Sequence, residues 1–221
     1  MAIPNPVAIT TFIVCLASHA VGQEQNLKKV EESRKCMGTT LRIVIHAPTE
    51  TIGRKALEKA FARAEELNGI LSDYQDSSEL MRLCAKAGGP SVGVSRELFT
   101  VLESAQELSR LTDGAFDVTI GPVTRLWRLA RKSKRLPDPA DLAAARALVG
   151  YRMMELNPVD KSVKLAKPGM RIDLGGIAKG FTADEILDQL RREDLPRSLV
   201  DRKSTRLNSS HIPLSRMPSS A

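Results

Sequence analysis

The chain has 221 residues, 42% of them hydrophobic and 27% charged, the balance of a soluble globular protein long enough to bury a sizeable core in one or two domains. Its net charge of +7 does not mark a nucleic-acid binder. Arg202, Lys203, Arg206 and Arg216 supply four of those charges within the last twenty residues, leaving +3 for the rest, and no aromatics interleave with the basic residues.

Val7 to Ala20 is mostly apolar, and Ser18-His19-Ala20 or Ala20-Val21-Gly22 offers small residues at the −3 and −1 positions of a cleavage site. Residues 1–22 therefore read as an export signal, although their start lacks Lys and Arg; a short membrane anchor is the alternative. After residue 22 no segment is long and apolar enough to span a bilayer. The expected location is periplasmic or secreted, either free or associated with the outer face of the inner membrane. Cleavage would remove Cys15 and leave Cys36 and Cys84, which an oxidising compartment could pair; neither has metal-site spacing.

Leu41 to Ala47 alternates apolar and polar residues and predicts a half-buried strand. Ile52, Ala56, Ala60, Ala64, Leu67 and Leu71 recur at helical spacing after a Thr49 or Thr51 cap, in a helix expected to end near Asn68-Gly69. A short helix is expected within Asp76 to Lys86, before Gly88-Gly89-Pro90. Another follows Ser95, with Leu98, Leu102, Ala105 and Leu108 on one face, and stops at Asp113-Gly114. Gly121-Pro122 ends any strand there, and the segment around Trp127 runs into a basic, exposed stretch, Arg131 to Arg135.

Asp138-Pro139 opens a helix that closes at Gly150. Met153 to Leu156 and Ser162 to Leu165 flank Asn157-Pro158-Val159-Asp160 as a hairpin. The order predicts an α+β domain, a mostly antiparallel sheet with packed helices, spanning residues 23–200. Beyond Val200 the chain is rich in Ser, Arg and Pro and has neither periodicity. Residues 201–221 resemble translated sequencing-adapter sequence and read as a non-native or disordered tail. On this expectation the chain is the N-terminal part of a longer protein, truncated at its C-terminal side.

The most informative stretch is Arg171-Ile172-Asp173-Leu174-Gly175-Gly176-Ile177-Ala178-Lys179-Gly180. It predicts an apolar strand ending in a carboxylate, a glycine turn, and an amphipathic helix carrying Phe181, Ala183, Ile186, Leu187 and Leu190. Glycines let backbone approach a ligand, and a helix N-terminus presents unpaired N–H groups suited to a phosphate. The spacing is neither G-x-x-x-x-G-K-[ST] nor G-x-G-x-x-G, and such turns also occur where nothing binds.

Three further blocks precede it: Met37-Gly38-Thr39; Leu71-Ser72-Asp73-Tyr74 with Ser77-Ser78-Glu79-Leu80; and Gly114-Ala115-Phe116-Asp117-Val118-Thr119-Ile120-Gly121-Pro122 with Trp127 behind. In this order, over roughly residues 33 to 200, the sequence resembles the ApbE-type flavin transferases, the FAD:protein FMN transferases. The resemblance implies that FAD is split at its pyrophosphate. A threonine or serine hydroxyl of a target flavoprotein attacks the FMN-side phosphorus, AMP leaves, and magnesium neutralises the developing charge.

It further implies that Tyr74 lies against the isoalloxazine ring and that Met37, Ala115, Phe116, Asp117, Asp173 and Lys179 contact the cofactor, Lys179 near the phosphates. Gly176 would offer a backbone carbonyl to the metal. Each has a plainer reading beside it: Tyr74 and Met37 as core residues, Asp117 as a structural hydrogen-bond acceptor. Two positions depart from the family pattern, Cys84 where Asn is common and Phe181 where Tyr is usual. The family's other metal ligands and a histidine near the pyrophosphate are expected beyond this chain, whose histidines are His19, His46 and His211. The rival readings are a non-catalytic FAD-binding module and a structural or interaction domain.

Overall fold

A computed structural model describes residues 27–203. The export signal and residues 204–221 of the expected tail lie outside the described residues. Strands β1 (Lys28–Cys36) and β2 (Thr39–Ala47) form an antiparallel hairpin in register Cys36↔Thr39. Met37 and Gly38 make its two-residue turn with φ of 49° and 71°, the left-handed pair that matches the twist of the flanking strands. Strand β6 (Ser198–Lys203) pairs antiparallel with the other edge of β2, giving the order β1-β2-β6. The expected boundary after Val200 thus falls inside a strand that continues through Asp201 and Arg202 to Lys203.

Helix α1 (Glu50–Leu71) starts where the Thr49 hydroxyl accepts the Ile52 N–H at 3.2 Å. It runs through Asn68-Gly69, because Asn68 and Leu71 are buried and packing outweighs the low helix propensity of glycine. Ile52, assigned by periodicity to the apolar face, is exposed, and Gly53 packs in its place against Val30. Helices α2 (Glu79–Ala85) and α3 (Arg96–Leu111) begin at the Ser78 and Ser95 caps. Helix α4 (Gly121–Ser133) occupies a stretch to which the sequence reading assigned no element, with Pro122 in its first turn, and α5 (Pro139–Arg146) ends four residues before Gly150.

A second antiparallel sheet, ordered β3-β5-β4, is formed by β3 (Val92–Gly93), β4 (Met154–Asn157) and β5 (Ser162–Leu165). Helix α6 (Ala178–Arg192) precedes β6. The expected α+β architecture is present, with two small antiparallel sheets among the described residues rather than one.

Apolar residues gather in two clusters. One joins β1, β2, the first part of α1 and the end of α6; the other joins the end of α1 with α2, α3, the second sheet and residues 170–178. Cys36 lies in the first and Cys84 in the second, each as a free thiol whose pKa burial pushes up, so the disulfide between them is not formed.

Candidate functional site

The Arg171–Asp173 segment is not the strand the sequence predicted. It makes a single parallel bridge, Ile120↔Arg171, and the Asp173 N–H donates to the Val118 carbonyl at 2.8 Å. Those two contacts lay residues 118–121 alongside 171–173. Gly121 is required there: a Cβ would stand 2.5 Å from the Arg171 carbonyl oxygen. Below this segment the Cys84 sulfur accepts the Ile172 N–H at 3.4 Å, which gives position 84 a structural task.

Asp173 is held at both carboxylate oxygens. Oδ1 accepts the Gly175 N–H at 2.8 Å and Oδ2 accepts from Arg128 Nη2 at 2.8 Å. The other terminal nitrogen of Arg128 pairs with Asp73 Oδ2 at 2.6 Å, and the guanidinium lies 4.3 Å from the centroid of the Tyr74 ring. The side chains of Asp73 and Asp173 are only 11% exposed, whereas Tyr74 is 74% exposed, which excludes a core role for its ring. The loop carrying Tyr74 is folded by its own motif. Ser72 Oγ accepts the Tyr74 and Gln75 N–H groups, and Ser78 Oγ donates to the Ser72 carbonyl at 2.6 Å. Asp73, Tyr74, Gly121, Arg125, Arg128, Arg171 and Ile172 line an open cleft of about 210 Å³.

Two other predicted positions, Phe116 and Gly176, meet at the turn that follows Asp173. Phe116 stands over the glycine turn, its ring so close that a Cβ on Gly176 would lie 3.1 Å from it. Neither Gly175 nor Gly176 has positive φ, so close approach rather than backbone freedom explains Gly176. Ala115 is exposed beside Phe116. Asp117 has the structural partners that its plainer reading called for: Oδ1 accepts from the Thr119 N–H and hydroxyl at 2.8 and 2.7 Å, and Oδ2 accepts the Tyr151 N–H at 2.8 Å.

Lys179 is exposed in the first turn of α6, a helix start with no side-chain cap and no acidic residue. Met37 is not mid-strand but at the hairpin turn, where its sulfur receives Thr182 Oγ1 of α6 at 3.5 Å and Arg202 Nη2 at 3.2 Å. Among the described residues, no group of three or more His, Cys, Asp or Glu side chains is placed to hold a metal ion.

Sequence reasoning missed Arg128, along with Arg125, Arg171 and the part played by Asp73. The missing signal was the helical period of residues 121–133, which puts Arg125, Arg128 and Lys132 on one face opposite Val123, Leu126 and Ala130.

The two antiparallel sheets with their packed helices define an α+β protein, and its cleft is lined by a tyrosine ring, the Asp73 carboxylate and three arginines, with Asp173 reached through Arg128. The structure superposes on flavin transferase ApbE from Vibrio cholerae, solved in a mutant form, with a TM-score of 0.73 at 29% identity, covering 79% of this chain and 60% of that one. For the ApbE protein of Thermotoga maritima the TM-score is 0.70 at 25% identity, with 79% and 57% covered. The ApbE family profile matches residues 37–204, and the chain belongs to that family.

Several relatives bear the name FAD:protein FMN transferase. That of Klebsiella pneumoniae is 32% identical over 165 residues, 75% of this chain and 51% of the relative. That of Treponema pallidum is 30% identical over 202 residues, 88% and 55%. The chain spans about half the length of these curated relatives.

Proposed function

We propose that this chain binds FAD and carries the flavin-side part of an enzyme that moves FMN from FAD to a threonine or serine hydroxyl of a target protein. In that reaction the hydroxyl oxygen bonds to the FMN-side phosphorus, the pyrophosphate bond breaks, and AMP leaves with the bridging oxygen. The observation that carries the reading is the convergence of an exposed tyrosine ring and a well-held carboxylate, Tyr74 and Asp173, on one arginine in a chain of this family.

An aromatic face on a cleft rim suits a flat heterocycle, since stacking buries much apolar area. Asp173 keeps unused lone pairs for a nucleotide donor, because a carboxylate offers about four acceptor sites and Arg128 and the Gly175 N–H use two. The uncapped start of α6, with Lys179 beside it, offers N–H groups and positive charge to the phosphates. Ala115 and Phe116 would meet the ligand directly, and Asp117 would shape that loop through its three internal bonds. Met37 would close the pocket from the hairpin turn. At about 210 Å³ the cleft is smaller than the roughly 300–1,000 Å³ pockets of whole small ligands, so it suits one part of a dinucleotide.

Magnesium belongs to this reading through the exposed Gly176, whose carbonyl is a suitable hard ligand. The described residues do not by themselves make a magnesium site. The partner is a target flavoprotein. An exported location goes with the reading of residues 1–22; among the described residues no helix is long and apolar enough to cross a membrane.

Flavin fluorescence titration of the chain with FAD tests the binding half, and loss of any saturable signal would remove it. The transfer half is tested by incubating the chain with FAD, magnesium and an acceptor protein, then looking for the FMN mass on the acceptor. Binding without that mass would favour a flavin-binding module over a self-sufficient enzyme.

A further inference from the structure

Arg128 joins three parts of the chain that are far apart in sequence. It projects from α4, a helix seated by the Gly121 contact, and reaches the loop after α1 through Asp73 and Tyr74 and the turn before α6 through Asp173. Its two terminal nitrogens serve different carboxylates while its flat face covers the tyrosine ring. Only a planar guanidinium can do all three, because an ammonium is a point charge with no face and no fork. Burial draws the Arg128 pKa down, but the bond and charge of Asp73 and the charge of Asp173 raise it overall, so the cation persists. Bonds between ionised partners are also about twice as strong as neutral ones, so an uncharged ring has little means of displacing it.

Tyr74 needs this support. Its loop is tied down by backbone bonds to Ser72, but the ring itself is largely exposed. We infer that Arg128 is a positioning residue for the flavin site, fixing the Tyr74 ring plane against the Asp173 carboxylate and leaving the ring face opposite the guanidinium to stack on the flavin. The inference rests on the FAD-binding reading above and adds a residue, a ring face and a coupling to it. Asp73 then acts through Arg128 and touches no ligand.

The test is FAD titration of the full chain by flavin fluorescence, with melting temperatures recorded alongside, for the unaltered chain and for Arg128→Gln, Arg128→Lys, Asp73→Asn and the Arg128→Gln/Asp73→Asn pair. Arg128→Gln is expected to weaken FAD binding at least about tenfold, the scale of one lost charge-assisted contact. At saturating FAD it should also leave the flavin less quenched by Tyr74. Arg128→Lys should restore neither property, because a single ammonium cannot bridge two carboxylates and cover a ring. Asp73→Asn should weaken binding several-fold, and the double variant should bind no worse than Arg128→Gln alone.

Wild-type affinity and quenching in Arg128→Lys would show that charge alone suffices and would overturn the inference, as would unchanged affinity in Arg128→Gln. If Arg128→Gln does not fold, Asp73→Asn decides: it keeps the Arg128–Asp173 pair, and unchanged affinity and quenching there would sink the proposal. Failure of the unaltered chain to bind FAD would instead overturn the flavin reading, and the inference with it.

Discussion

Tyr74 exposes 74% of its surface although an arginine covers one ring face, an arrangement that contributes little to folding and leaves the other face open. Tyr74→Ala is therefore expected to weaken FAD binding by about 1–3 kcal/mol through lost stacking and burial while leaving the melting temperature nearly unchanged. Equal affinity in a titration would remove Tyr74 from the pocket. Arg202 is the opposite case. Ser198, Val200 and Arg202 oppose Ile45, Ile43 and Leu41 on the inward face of the first sheet, and Leu41 is fully buried. Among the described residues its Nε and Nη1 have no hydrogen-bond partner, and burial pulls its pKa down. Nothing in the structure explains an arginine at this inward position. Arg202→Val should stabilise the chain by about 1–3 kcal/mol, the cost of an unsatisfied buried polar group, read as a higher midpoint in urea. Tyr74 and Asp173 were legible in the sequence because a ring and a carboxylate sit in blocks that carry a family resemblance. Arg128 was not, since its partners are 45 and 55 residues away and only the fold brings them together.

At the scale of elements, glycines that look alike in sequence separate once their neighbours are known. Gly121 lies against the Arg171 backbone, and Gly180 is in the first turns of α6 with nothing within 4 Å of where a Cβ would be. Gly121→Ala should cost about 1–3 kcal/mol by overpacking and should also weaken FAD binding, because it pushes α4 and Arg128 away from Asp173. Gly180→Ala should stabilise the helix by about 0.5–1 kcal/mol, and thermal melts of the two variants should move in opposite directions. Helices α1, α3 and α5 were readable because Thr49, Ser95 and Asp138 announce them by side-chain chemistry, whereas α2, expected within Asp76 to Lys86, starts at a Ser78 cap the sequence reading did not single out. Helix α4 has no side-chain cap and takes its start from Pro122, and most of its surface is exposed, so its apolar stripe is weak evidence. Strand β1 was hidden for a related reason: it is an edge strand in which only Val30 and Cys36 are buried among charged residues.

Across the whole molecule, α1 and α6 are the members common to both apolar clusters, so what ties them together decides how firmly the two halves behave as one. Arg63 of α1 supplies that tie. Its guanidinium reaches Glu66 of the same helix, Glu97 of α3 and Glu185 of α6, each at 2.8 Å. Burial pulls the Arg63 pKa down, but the bonds to Glu185, Glu97 and Glu66 more than offset it, so the cation is permanent. The bond to Arg63 is in turn the largest of the effects that hold Glu97 below its ordinary 4.5. A carboxylate whose folded value is depressed stabilises the fold fully above its unfolded value, and that contribution is lost as pH falls through the folded one. Melting temperature should therefore be level above about pH 5 and decline below 4.5. Glu31, held down to about 2 by Arg42 and Lys29, and Glu58, lowered by Arg34, act in the same direction from the exposed surface. Arg63→Gln isolates the part of the decline that belongs to the tie. At neutral pH it should destabilise the chain by about 1–2 kcal/mol, between the values of exposed and buried pairs, because the three carboxylates lose their shared cation. As the pH falls below 4.5 and on through the lowered folded value of Glu97, that carboxylate takes up its proton in the unaltered chain too, so the gap between the two melting curves should narrow as the pH drops. A gap that stays constant down to pH 3 would mean that Arg63 contributes packing rather than charge.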